Sequence, residues 1–466
     1  MLRSFDYTAP AVPRSSPTMT AANLAAKARA LGITVEVFTI GDLFPKPAES
    51  EIQGWVKRLR EAAAASPKEP RFQLRPAMRE RAYSETGGLP SLREQIALSF
   101  VADTGQPVTA ADVRCGNGGK GALTGAFAYL AGVKNPTILM AAPGWPTNYD
   151  MFPAGARIVE IDTNGRGLMT PEELAAALMH VPEPSVILIN APSNPTGANY
   201  SATEREALLQ VVADKTTRTL VAFDDPYGKL VFDQEPYDTT CVLQRGAVEK
   251  SLFAAGRIAV FRTASKEYGM AGSRVGWVVT KNAELLTSLQ NYNESKGGGV
   301  SSGSQLEVQA ALMFGDDFIT HTVATLKKKR ALVMVGIAQL RYARMAPPQA
   351  TIYAWIDFAG LRGKFVPLSA IPTEAARASS DVLSEAERKA GGFTIATPED
   401  LMRDLVFVAG FCPVAGTPFY APGSPAAKAD WHVRMSFCND EAELKRGLAN
   451  LARAEAQLLE APTRAA

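Results

Sequence analysis

A two-domain α/β protein is the architecture this chain predicts, with a large domain on a mostly parallel central sheet and a smaller α+β domain. Three features carry that expectation. From about residue 76 to 330, apolar runs of strand length alternate with amphipathic stretches of helix length, which signals crossover connections and a sheet buried on both faces. After residue 330 the rhythm changes to a helix, separated strands and a long closing helix. The 466 residues are too many for one small core and suit two or three structural domains. The predicted division is 1–75 for an N-terminal arm and part of the small domain, 76–330 for the large domain, and 331–466 for the C-terminal small domain.

In chain order, MLRSFDYTAPAVPRSS reads as a flexible arm without the apolar stretch of a secretory signal. A helix is expected from about Thr20 to Leu31, a strand at VEVFTI (35–40), a Gly/Pro turn at GDLFPKP, and a helix from about Glu49 to Ala65. The large-domain strands are PTILMA (136–141), RIVEI (157–161), SVILIN (185–190), TLVAFD (219–224), RIAVF (257–261) and GWVVT (276–280). Helices at 171–180 and 202–214 lie between them. Beyond the helix at 326–340, strands are predicted at TIYAWIDF (351–358), LVFVAG (405–410) and HVRMSF (432–437), with a polar, helix-rich region at about 368–392 and a final helix at 441–460.

Composition excludes several classes of function. Basic and acidic residues nearly balance, 49 against 47, so no nucleic-acid surface is indicated. No apolar run is long enough to span a bilayer. Cys115, Cys241, Cys412 and Cys438 are far apart, as are His180, His321 and His432, so no metal site is expected. Cys115 and Cys438 read as small core residues. Together these features predict a cytoplasmic protein with reduced thiols.

In a parallel sheet, ligands bind beyond the carboxyl ends of the strands. Four loops there bear chemistry. SVILIN runs into Asn194-Pro195-Thr196-Gly197, a tight turn whose Asn–Pro bond is a candidate for the cis form. TLVAF delivers Asp224 and Asp225; a carboxylate on a buried strand needs a cation or donor, and Asp225 reads as an N-cap. RIAVF leads into RTASK, which places Lys266 at a strand end with Arg274 beyond it. RCGNGGKGAL sets a glycine cluster before a helix, a form suited to cradling an anion. A phosphate cradle, buried carboxylate, Asn, Tyr, Lys and Arg are together the set that pyridoxal phosphate requires. The lysine forms a Schiff base, the carboxylate keeps the pyridine nitrogen protonated, and the arginine holds the phosphate.

In the order IGDLFPKP, YSETGGLPSLRE, GGKGAL, PGWPTNYD, NAPSNPTG, DDPYGKL, TASKEYGMAGSRVGW and HVRMSF, the sequence resembles the class I/II aminotransferases, the fold-type I pyridoxal-phosphate enzymes, over nearly its whole length. The resemblance implies that Lys266 is the Schiff-base lysine and then the acid/base at the substrate's α-carbon. Arg274 and Thr263 would bind the phosphate with the backbone at Gly119 and Lys120. Trp145 would stack on the pyridine ring, Asp224 would pair with its nitrogen, and Asn194 and Tyr227 would reach the phenolic oxygen. Arg434 would grip the substrate's α-carboxylate, with Gly41 and Asn194 also on the substrate side. Tyr83 would reach the phosphate of a neighbouring subunit, implying a homodimer with shared sites. On the residues alone, Trp145 also reads as a core tryptophan, Arg434 as a surface strand residue and Tyr83 as a loop tyrosine.

Three departures from the family pattern bear on the reaction. Lys120 stands where a small polar residue is common, and either adds charge at the phosphate or points outward. KGGGVSSGSQ lacks the arginine that dicarboxylate-specific members carry, which weighs against aspartate or glutamate as donor. The stretch 360–397 is long, and suits a lid or a partner contact. The implied activity is transfer of an amino group between an amino acid and a 2-oxo acid. The alternatives are β/γ-elimination or replacement, as in aminocyclopropane-carboxylate synthases acting on S-adenosylmethionine, and a non-catalytic regulator domain.

Overall fold

The computed structural model describes residues 3–39, 41–43, 45–74, 84–233 and 246–460. Its main feature is an eight-stranded sheet. From one edge to the other the strands are Ser4–Thr8, Arg157–Asp162, Thr137–Ala142, Val186–Asn190, Leu220–Asp224, Ile258–Thr263, Val275–Thr280 and Val113–Asn117. The strands from Arg157–Asp162 to Ile258–Thr263 pair in parallel. Ser4–Thr8 and Val275–Thr280 run against them.

Both faces of this sheet are buried, which is why its strands read as continuous apolar runs. Along Leu220–Asp224, Val221 and Phe223 join one hydrophobic cluster while Leu220 and Ala222 join another across the sheet. The two-residue period therefore aims Asp224 to the side of Leu220 and Ala222. Phe261 belongs to that same cluster and Trp145 packs against it, so the functional loops converge on one face at the strand ends.

A second hydrophobic cluster forms the smaller body around a four-stranded antiparallel sheet, ordered Arg344–Met345, Tyr353–Asp357, His432–Ser436 and Val414–Ala415. Ala21, Ala25 and Ala28 of helix Pro17–Ala30 enter this core, and Glu36–Val37 pairs with Phe411–Cys412. Helix Glu49–Ala65 instead buries Trp55, Val56 and Leu59 in the core beside the large sheet. The first 75 residues thus contribute to both bodies.

Several expectations are corrected. The presumed flexible arm carries the edge strand Ser4–Thr8, tied by its backbone to Arg157–Asp162 and by an Asp6–Arg157 ion pair at 2.7 Å. Ser-Phe-Asp-Tyr-Thr does alternate, with Phe5 and Tyr7 packed against a core cluster, but so short a run ahead of a Pro- and Ser-rich stretch reads as a loop. LVFVAG is no strand: Asp404–Val408 is a π-helical turn continuing helix Pro398–Arg403. Leu405, Val406, Phe407 and Val408 are all buried, and a fully buried apolar run has no period to tell helix from strand. The predicted strand at 35–40 is only Glu36–Val37, while the helix expected at 326–340 starts earlier and spans Asp316–Ala338. The stretch 360–397 folds into the small body, where Lys364–Pro367 pairs with Gly392–Thr394 and Leu459–Glu460. Its Val366, Ile371, Val382, Leu383 and Phe393 enter the small core. Cys115, Cys412 and Cys438 are free and buried, and burial pushes the Cys115 thiol up to about 12; Cys241 lies outside the described residues. Among the described residues, no helix is long and apolar enough to cross a membrane.

Candidate active site

Beyond the strand ends, a cavity of about 290 Å³ lies between the two bodies. Gly41, Gly119, Lys120, Trp145, Asn194, Asp224, Tyr227, Thr263, Lys266, Arg274 and Arg434 all line it. These are the residues singled out from the sequence, with one omission: Tyr83 lies outside the described residues.

Lys266 sits in the short helix Ala264–Glu267, which starts directly at the end of strand Ile258–Thr263. The Thr263 hydroxyl caps that helix, accepting from the Ser265 N–H at 3.2 Å and donating to the Val275 carbonyl at 2.9 Å. The chain therefore turns sharply, and the Lys266 amine reaches across the cavity to donate to the Gly41 carbonyl.

Arg274 lies on the same side. Its backbone adopts φ +53°, in the left-handed region that costs a non-glycine residue about 1–2 kcal/mol. Its carbonyl accepts from the Gly118 N–H at 2.8 Å, which locks the arginine turn to the start of helix Gly118–Ala126. A Cβ at Gly118 would stand 2.5 Å from the Arg274 guanidinium, so only glycine allows that approach. A helix N-terminus and a guanidinium thus converge on one point, an arrangement that attracts an anion. Lys120, also in the first turn, stands with its amine 5.5 Å from the Trp145 ring centroid. Burial, with the nearby Arg274 charge, lowers its pKa.

At the other end, Asp224 is buried, and its carboxylate accepts from the Asn190 amide at 3.0 Å. Burial pushes its pKa up to about 7, with the Asn190 bond opposing. Asn190 is its direct neighbour across the sheet, and its own carbonyl accepts from the Asn194 N–H at 2.8 Å. One side chain therefore orients both the carboxylate and the Asn194 turn. The cis bonds are Ala142–Pro143 and Ala191–Pro192, not Asn194–Pro195. Nor does Asp225 cap a helix. It is wholly buried in an ion pair with Arg262 at 3.1 Å, and Arg262 also binds Asp103 at 3.1 Å, so the adjacent carboxylates are divided between the cavity and the core.

Arg434 closes the cavity from the small body. Its guanidinium donates to the Asn194 side chain at 3.0 Å and to the Thr39 carbonyl at 3.1 Å, and rests 4.2 Å from the Tyr353 ring centroid. It is buried, and its Nε has no protein partner, which leaves donor capacity for an incoming carboxylate. The Tyr227 hydroxyl donates to that of Tyr353 at 3.3 Å, and burial with the neighbouring phenol holds the Tyr227 pKa far above its usual value.

Tyr353, Asn190 and Ser265 also line the cavity and were not singled out from the sequence. Asn190 ends an apolar strand just as Asp224 does, and that was the available signal. Tyr353 carried none, because an aromatic in a strand reads as core.

The class I and II aminotransferase model matches residues 52–450. An aspartate/prephenate aminotransferase from Cereibacter sphaeroides is 28% identical over 60% of this chain and 68% of its own length. An aspartate aminotransferase from Rhizobium meliloti is 26% identical over 80% of this chain and 82% of its own. Among solved structures, an aspartate aminotransferase of Rhizobium meliloti shares the fold at a TM-score of 0.75 and 23% identity, covering 96% of this chain and 97% of that one. Thermus thermophilus aspartate aminotransferase with maleate does so at a TM-score of 0.70 and 21% identity, covering 95% and 97%. With the matched segment running from helix Glu49–Ala65 to the closing helix Glu441–Glu455, the chain belongs to the class I and II aminotransferase family.

Proposed function

We propose that the protein is a pyridoxal-phosphate-dependent aminotransferase, moving an amino group between an amino acid and a 2-oxo acid as a cytoplasmic homodimer. The observation that carries this reading is the convergence of eleven residues, from Gly41 to Arg434, on one cavity. The cavity fits the cofactor on three counts. The glycine at 118 allows Arg274 to approach the start of the helix, where an anion is attracted, the buried Asp224 carboxylate forms no ion pair among the described residues, and the Lys266 side chain lines the same cavity as both.

Bound pyridoxal phosphate supplies an electron sink that stabilises negative charge at the substrate's α-carbon. Lys266 would hold its aldehyde, and the same amine then carries the proton that leaves and returns at the α-carbon. Arg274, Thr263 and the N–H groups at Gly119 and Lys120 would hold the phosphate, and Trp145 would cover the ring face. Asp224, held by Asn190, would keep the ring nitrogen protonated. Asn194 and Tyr227 would fix the phenolic oxygen. Arg434 would bind the α-carboxylate and so orient the bond to be broken.

The test is a half-reaction. Purified holoenzyme is mixed with a panel of amino acids, and the cofactor's absorption is followed together with 2-oxo acid release. Conversion to the pyridoxamine form with one oxo acid per site is expected. Cofactor that stays unchanged with every donor would overturn the reading. Lys266→Ala is expected to lower turnover by at least about 10²–10⁴-fold. Light scattering on the eluted protein tests the homodimer, which a monomeric mass would exclude.

A further inference from the structure

A second, larger cavity of about 1150 Å³ adjoins the first, and the two share Lys120, Trp145 and Arg434 in their walls. We infer that this cavity receives the side chain of the amino donor, and that the donor is an amino acid with a bulky, uncharged side chain. The inference rests on the proposed aminotransferase reading and names its substrate class.

Position comes first. Arg434, the residue placed to bind the α-carboxylate, pairs in the small sheet with Val414, and Val414 and Ala415 both line the larger cavity. Phe419, another wall residue, has its ring centroid 5.2 Å from the Arg434 guanidinium. A substrate held by its carboxylate at Arg434 therefore has its side chain at the mouth of this space.

Size comes second. At about 1150 Å³ the space exceeds the roughly 300–1,000 Å³ of pockets that enclose drug-sized ligands, so its walls set no limit at the size of a four-carbon donor and admit a bulky side chain. The wall is also purpose-shaped. The π-helical turn Asp404–Val408 puts Phe407 on it, and such turns tend to occur at functional sites.

Charge comes third. Three pairs of ionic groups around the cavity are spent on each other: Arg14 on Asp150 at 3.0 Å, Lys27 on Asp381 at 3.1 Å, and Arg403 on Asp400 at 2.6 Å. Of the other ionic wall groups, Glu399 is an exposed carboxylate, Arg434 is placed for the α-carboxylate, and Lys120 stands where the two cavities meet, over the Trp145 ring and near Arg274. The second carboxylate of a dicarboxylic donor entering further would meet the Glu399 carboxylate and cations already paired with Asp150, Asp381 and Asp400, whereas an uncharged side chain meets the apolar part of the wall at no such cost.

The experiment compares holoenzyme kinetics with phenylalanine, alanine and aspartate, alongside calorimetric binding of 3-phenylpropanoate and succinate, which need no turnover. Phenylalanine is expected to exceed both other donors at least about tenfold in kcat/KM, the scale on which pockets discriminate added apolar bulk. Phenylpropanoate should bind more tightly than succinate. Two variants fill the space from two different elements, Ala415→Phe in the small sheet and Thr20→Trp at an exposed position of helix Pro17–Ala30. Each should lower the phenylalanine-to-alanine ratio of kcat/KM at least about tenfold. Aspartate or alanine as the best donor, tighter succinate binding, or an unchanged ratio in both variants would each overturn the assignment. Failure of every donor would instead strike the aminotransferase reading itself, and the binding measurement would still decide the cavity's preference.

Discussion

Asp224 carries a penalty that only a ligand relieves. Its carboxyl is pushed up to about 7 by burial, against about 4 in an unfolded chain. Between those values the folded apo-protein binds more protons than the unfolded chain, so stability falls as pH rises through that window. Asp224→Asn should abolish this part of the loss, seen as a flatter dependence of apo-protein Tm from pH 5 to 8. The same change should cost roughly 10²–10³-fold in turnover, the scale of removing one preorganised electrostatic partner. Asp404 sets the contrast. It is buried in the π-helical turn with Oδ1 unpartnered, and burial again pushes it up to about 7. Asp404→Asn should therefore raise Tm at pH 8, with the gain shrinking toward pH 4 and turnover retained; an equal gain at both pH values would refute the charge argument. Asp224 and Lys266 were legible in the sequence because a charged group at the end of an apolar strand is anomalous. Asn190 ends an apolar strand in the same way but is uncharged, so it stands out less, and Tyr353 reads as a core aromatic.

At the scale of elements, the proposed phosphate end rests on the close approach of helix Gly118–Ala126 to the Arg274 turn. Gly118 has φ +70°, and an added methyl would meet the guanidinium at 2.5 Å. Gly118→Ala thus forces both an unfavourable backbone, about 1 kcal/mol, and a displaced Arg274. Cofactor affinity should weaken about tenfold or more, measured by titrating the apo-protein with pyridoxal phosphate, and the loss should be smaller for pyridoxal, which lacks the phosphate. Equal losses for both would place the damage elsewhere. Strands Ile258–Thr263 and Val275–Thr280 at this end were legible as apolar runs, whereas Val113–Asn117, with only Val113 and Cys115 apolar before the glycines, was not predicted. Nor were the turn at Asp404–Val408 and the strand Ser4–Thr8. The first is buried all round and leaves no period, and the second alternates over too few residues, ahead of a Pro- and Ser-rich stretch, to stand out from a loop.

Across the whole molecule, one stretch of chain joins the two bodies over the cavities. Ser4–Thr8 is fixed to the large sheet, helix Pro17–Ala30 is fixed in the small core, and residues 13–16 between them line the larger cavity. Arg14 anchors this crossing, because its guanidinium donates to Asp150 at 3.0 Å and to the Pro146 carbonyl at 2.9 Å, beside Trp145. The pair is partly buried, so it escapes some of the screening that makes surface ion pairs weak. Arg14→Ala should leave the cofactor grip intact, since no residue of that grip touches Arg14 among the described contacts, but should loosen the wall against which the substrate packs. The expected outcome is a severalfold rise in KM with little change in kcat or in cofactor affinity. Asp150→Ala should produce a smaller rise, because Arg14 keeps its bond to the Pro146 carbonyl, and the double variant no more than Arg14→Ala, because both remove the same ion pair. Additive effects would mean that the crossing is held by other contacts and that Arg14 and Asp150 act separately on the substrate.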